Sequence, residues 1–172
     1  MTAARQERKS GRLRSAVAVA ALMIAALSAD LGIGSGSLCG AMSERVVTNR
    51  NTGLAIDGFD PVAYFVDREA RLGRPELEFR YADANWRFAN EGNRAAFAAH
   101  PDIYMPRFGG YDATAVARGT GTAGHPKLWR IVAQRLYLFY SEEARLAFIR
   151  NSDGIAEAAE RHWPEVLLTL SP

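Results

Sequence analysis

Cysteine is almost absent from this chain: of 172 residues, Cys39 alone is one. An intramolecular disulfide is therefore impossible, and a small disulfide-stapled export fold is excluded. Histidine is scarce too, at three residues. No block of basic residues is interleaved with aromatics, so nucleic-acid binding is set aside. There is no G-x-S-x-G, no H-E-x-x-H, and no glycine-rich phosphate loop followed by Lys-Ser/Thr. The best-marked hydrolase and nucleotide-binding machinery is thereby missing. No uninterrupted apolar run reaches the ~20 residues of a comfortable membrane span.

What the chain does have begins at its front. Arg5, Arg8, Lys9, Arg12 and Arg14 face a single Glu7, and "SAVAVAALMIAALSA" follows over 15–29 until Asp30 interrupts it. A basic stretch, an apolar stretch of this length and small residues at its end have the form of a secretory signal. Cleavage is expected near Ala29, with Ala41 as a second candidate, and the product is expected in the periplasm or outside the cell. A lipid anchor on Cys39 is disfavoured, because Gly36 stands where such signals carry a large aliphatic residue. Of the 21 basic and 19 acidic residues, 5 and 1 lie in 1–29. The remaining 16 and 18 leave a mature chain near −2.

Residues 30–51 are rich in Gly, Ser and polar side chains and read as a linker. The folded domain is expected over 52–164, with a tail at 165–172. No internal repeat stands out. "TGLAI" (52–56) reads as a short strand closed by the turn cluster "DGFDP", and Asp60-Pro61 as a cap and first helical residue before "VAYF". "LEFRY" (77–81) and "NWRFA" (85–89) alternate apolar and polar residues around "ADAN" and predict a hairpin. Asn90 is placed to cap "EGNRAAFAAH", stopped before Pro101. "GGYDATAVARG" predicts a short helix between glycines. "KLWRIVA" (127–133) and "LYLFY" (136–140) predict a second hairpin with Gln134 near its turn. Ser141 caps "EEARLAFIRN", with two acids in the first turn and Arg150 in the last. "DGIAEAAERHW" is the closing helix, ending before Pro164. The sum is α+β: a small antiparallel sheet of two hairpins plus a short strand, with packed helices, in a single domain.

"AIDGFDPVAYF" (55–65), "WRFANEGNRAAFAAHPDIYMPRFGGYDA" (86–113), "HPKLWRIVAQRLYLFY" (125–140) and "HWP" (162–164) together resemble the YHS domain family, and more closely its exported bacterial branch. The related metal-sensing modules carry three cysteines at places that here hold Ala63, Ala89 and Gly92. Thiolate coordination of zinc or copper(I) in that manner is not available to this chain. The exported branch usually has cysteine or selenocysteine in "GGYCA", where this chain has Asp112. It usually has an acid before proline where this chain has His125. The resemblance thus implies that a Cys–Asp pair has become an Asp–His pair.

Asp112 and His125 are accordingly the candidate ligands of a divalent metal ion, or an orienting acid and its base. Asp57, Asp60 and His100 are the further donors available. The plainer reading is a first-turn helix acid and a loop histidine. Asp60 is likewise either a ligand donor or a helix cap. Gly109-Gly110 either cradle an anion or form a tight loop. Tyr64, Tyr111 and Trp129 either line a small-ligand pocket or belong to the core, as do Trp86, Tyr104, Tyr137 and Tyr140. Arg94 and Arg107 either bind an anion or sit solvated. His162 is expected at a helix end. Three functions follow: a ligand- or metal-binding module at Asp112/His125, a structural or protein-interaction domain whose metal site has decayed, and an enzyme with His125 as general base.

Overall fold

The computed structural model describes residues 46–170. The expected signal at 1–29, Cys39 and most of the 30–51 linker lie outside the described residues. Within them the chain is α+β and forms one domain. Its elements are α1 (Ala63–Val66), β1 (Arg74–Tyr81), β2 (Ala84–Phe88), α2 (Glu91–Ala99), α3 (Pro101–Tyr104), α4 (Ala113–Val116), β3 (His125–Val132), β4 (Arg135–Phe139), α5 (Glu142–Arg150) and α6 (Ser152–Thr169). The hairpins β1–β2 and β3–β4 are separate two-stranded antiparallel sheets. The expected strand at 52–56 is reduced to isolated bridges, Leu54 to Asn85 and Ala55 to Thr48.

The sequence shows no obvious repeat, but the structure contains one. Phe79 pairs with Trp86 in the first hairpin, and Arg130 with Tyr137 in the second; Tyr81 pairs with Ala84, and Val132 with Arg135. Every pair is carried to its counterpart by the same step, and both registers break at the same place, between Arg74 and Glu78 and between His125 and Trp129. Both turns place two residues at positive φ, Ala82-Asp83 and Ala133-Gln134, as a two-residue turn matched to strand twist requires. α2 and α5 begin on side-chain caps, Asn90 and Ser141, that each accept an amide three residues on. The segments ahead of the hairpins match as well. Asp60 N donates to Arg71 O and Gly73 N to Gly58 O; Asp112 N donates to Thr122 O and Gly124 N to Gly110 O. Residues 54–104 and 106–155 are thus two copies of one unit.

β4 stands between two cores. Leu136 and Leu138 join the first cluster, with Tyr64, Trp86, Phe88 and Phe97. Tyr137 and Phe139, on the opposite face of the same strand, join the second, with Phe108, Phe148 and Trp163. Strand periodicity of two produces this division. In β2 the corresponding outward residues are Asn85 and Arg87, which lie outside both clusters.

Two boundaries differ from expectation. Residues 46–51 belong to the fold rather than to a linker: Val47 N donates to Gly109 O, and Val46 packs on the first core. The last helix does not stop at Pro164 but runs to Thr169, so most of the expected tail is helical. Proline inside a helix forfeits a backbone hydrogen bond. Here Val166, buried, and Leu167 and Leu170, packed on the second core, outweigh that loss. His162 is consequently mid-helix, 3.8 Å from Glu165, and not at a helix end.

Gly73 and Gly124 occupy equivalent close approaches. A Cβ on Gly73 would lie 2.4 Å from the Arg87 carbonyl carbon, and one on Gly124 would lie 2.6 Å from Leu138 Cβ. Either glycine changed to alanine is expected to lose about 1–3 kcal/mol of stability, because strand backbone has to move. Urea unfolding of Gly73→Ala and Gly124→Ala checks this. An unchanged midpoint in both would show that the approach is not tight.

Candidate functional site

Asp60 and Asp112 are the two acids buried in the described fold, 0% and 2% exposed. Each precedes a short helix and follows a left-handed turn. That turn runs through Ile56, Asp57 and Gly58 in the first copy, and through Phe108, Gly109 and Gly110 in the second. A β-branched residue such as Ile56 rarely takes positive φ. Burial of Ile56 and Phe108 in the two cores holds both turns.

The buried carboxylates do matching work. Asp60 Oδ1 accepts from the amides of Val62 (2.8 Å) and Ala63 (3.3 Å). Its Oδ2 accepts from the amide of Ala89 (2.8 Å) and from Asn93 Nδ2 (2.6 Å). Asp112 Oδ1 accepts from the amides of Thr114 (2.7 Å) and Ala115 (3.3 Å) and from Thr114 Oγ1 (2.8 Å). Its Oδ2 accepts from the Tyr140 amide at 2.9 Å. Each acid caps the helix that follows it and pins the junction between its own hairpin and helix. A carboxylate has about four acceptor sites, and each of these has four donors. Asp112 is therefore more than the first-turn acid of a helix, and its oxygens are committed within the protein.

His125 is placed differently. It is exposed, it opens β3 opposite Phe139, and its Nδ1 accepts from the Lys127 amide at 3.1 Å. Asp112 and His125 thus have separate sets of hydrogen-bond partners. Among the described residues no three His, Cys, Asp or Glu side chains gather as a metal site. Of the further donors, Asp57 accepts from Asn49 Nδ2, and His100 ends α2.

The other candidates are built into the core or its surface. Tyr64 is fully buried, its hydroxyl donates to Pro126 O at 2.8 Å, and its ring meets Trp129 edge-on with centroids 5.3 Å apart. Burial, reinforced by the Asp60 charge, pushes the Tyr64 phenol above its ordinary pKa. It is a hydrogen-bond donor here and not an acid or base for neutral-pH chemistry. Tyr111 packs against Trp163, with centroids 5.9 Å apart. Gly109 O and Gly110 O accept the amides of Val47 and Gly124, so the glycine pair makes a tight loop joined to its neighbours. Arg94 pairs with Glu91, and Arg107 pairs with Glu160. An open groove of about 480 Å³ is lined by Phe65, Ile103, Tyr104 and Arg135 among others. None of Asp60, Tyr64, Tyr111, Asp112, His125 or Trp129 lines it.

Sequence reasoning did not single out Asn93 and Thr114, the side chains that complete the two carboxylate shells. The repeat would have pointed to them, since each stands where the other copy has an apolar residue: Ala144 opposite Asn93, and Val62 opposite Thr114. No helix among the described residues is long and apolar enough to cross a membrane. Comparison with family models, with curated proteins and with solved structures gives no match.

Proposed function

We propose that the chain is an exported, YHS-like protein-interaction module whose acids serve the scaffold. The resemblance rests on four motifs in order, and export rests on the basic and apolar leader. The interaction reading is carried by a comparison the molecule makes with itself. On the outer side of α2 stand Ala95 and Ala98. At the equivalent places on α5 stand Leu146 and Ile149, 43% and 41% exposed, and ahead of it Tyr140, 66% exposed, takes the place of Ala89. One copy keeps small side chains on this face and the other enlarges them. Exposed aromatic and aliphatic residues on a helix and just ahead of its cap suit a protein partner. Metal holding at Asp112/His125 and base catalysis by His125 are less favoured, because Asp112 accepts four donors within the protein, His125 is solvent-exposed, and no three His, Cys, Asp or Glu side chains gather among the described residues.

A photo-crosslinking residue at position 146, with position 95 as the matched control, tests this in the exporting cell. A discrete protein adduct at 146 and none at 95 is expected, together with substoichiometric metal in the purified native protein. Equal labelling of the two faces would remove the interaction reading. Stoichiometric metal that disappears in His125→Ala would restore the metal-binding one.

A further inference from the structure

We infer that the two copies share one interchangeable lock: a buried carboxylate that requires four donors, with the fourth supplied from opposite sides in the two copies. Three donors are common to both. They are two amides of the following turn and one amide at the hairpin–helix junction: Val62, Ala63 and Ala89 for Asp60, and Thr114, Ala115 and Tyr140 for Asp112. The fourth donor differs. In the first copy Asn93, on α2, reaches Oδ2. In the second copy its counterpart on α5 is Ala144, and the hydroxyl of Thr114 reaches Oδ1 instead. The counterpart of Thr114 in the first copy is Val62, which has no hydroxyl and nearly the same shape.

Each copy therefore lacks the donor that the other uses. Buried oxygen acceptors left short of a donor are costly, so a copy cannot lose both. The arrangement is what two descendants of one unit would show if each kept a different solution to the same requirement. It assigns Asn93 and Thr114 as positioning residues of the fold, acting through Asp60 and Asp112.

Five variants of the full-length chain, Val62→Thr alone among them, test it by urea unfolding. Asn93→Ala and Thr114→Val are each expected to lower the folding equilibrium constant by about five- to a hundredfold. Adding Val62→Thr to Asn93→Ala, which copies the second lock into the first, is expected to restore most of that loss. Adding Ala144→Asn to Thr114→Val does the reverse transfer. A merely structural polar contact would show additive effects, whereas a transferred donor shows rescue. If Asn93→Ala does not fold, recovery of folded protein in Val62→Thr/Asn93→Ala supports the inference and its failure overturns it. A Val62→Thr change that destabilises equally with and without Asn93→Ala also overturns it.

Discussion

Asp112→Ala is expected to lower the unfolding free energy by about 3–5 kcal/mol, and Asp60→Ala by a similar amount. The reason is what remains behind. Removing the Asp112 carboxyl leaves the amides of Thr114, Ala115 and Tyr140 and the Thr114 hydroxyl without their acceptor, three of these four donors in buried hydrogen bonds. Removing Asp60 strands the amides of Val62, Ala63 and Ala89 and the Asn93 amide group. Loss of a helix cap alone costs roughly 1 kcal/mol. Stranding a second element, the hairpin–helix junction, takes the loss well beyond that. Domains of this size have about 5–15 kcal/mol in total, so either variant should be partly unfolded near physiological temperature. Asp112→Asn should lie between, because one oxygen is kept while the new NH₂ group faces another donor. Equilibrium unfolding by urea gives the numbers. An Asp112→Ala protein with an unaltered midpoint would show that the carboxylate is not a structural lock, and would return it to the list of ligand groups.

The second large effect is expected from the two equivalent phenylalanines. Phe97→Ala and Phe148→Ala should each cost about 3–5 kcal/mol, the range for deleting a buried aromatic ring. Phe97 meets Trp86 at 5.0 Å and Phe88 at 5.3 Å between centroids, with Phe79 and Tyr81 further out. Phe148 meets Tyr137 at 4.7 Å and Phe139 at 5.1 Å. The rings lie in different cores, yet β4 lines both. Each variant should therefore unfold in a single transition followed equally by tryptophan fluorescence and by far-ultraviolet circular dichroism. Two separated transitions in Phe148→Ala, one for each core, would mean that β4 does not couple them.

The elements were legible wherever local chemistry decides them. Alternation in "LEFRY" and "NWRFA" and the caps Asn90 and Ser141 mark hairpins and helices that are there. Asp60 as a cap was readable because proline follows it, although the regular helix begins only at Ala63. Pro164 misled, because packing of Val166 and Leu170 overrides a local breaker. The repeat stayed hidden for a different reason. Its shared residues are those with a backbone or core duty, such as Gly58 and Gly110, Asp60 and Asp112, Gly73 and Gly124, and Phe97 and Phe148. They are scattered singly among surface residues free to diverge, and the spacing between acid and hairpin differs by one residue between the copies. The step is 52 residues from Asp60 to Asp112 and 51 from Phe97 to Phe148, so no single offset aligns the two. Beside Asp60, Asp112 reads as the residue that this position in the repeat already uses.

The placement of β4 also sets an order of events. A growing chain presents its N-terminal part first. The second core draws all its buried members from the second copy and the helix that continues it, Phe108 through Val166. The first core does not: Leu136 and Leu138 are among its fully buried members, and both are made more than thirty residues after Phe97. During synthesis Trp86, Phe88 and Phe97 emerge before the strand that completes their core. Until then the first core lacks Leu136 and Leu138, two of its fully buried members.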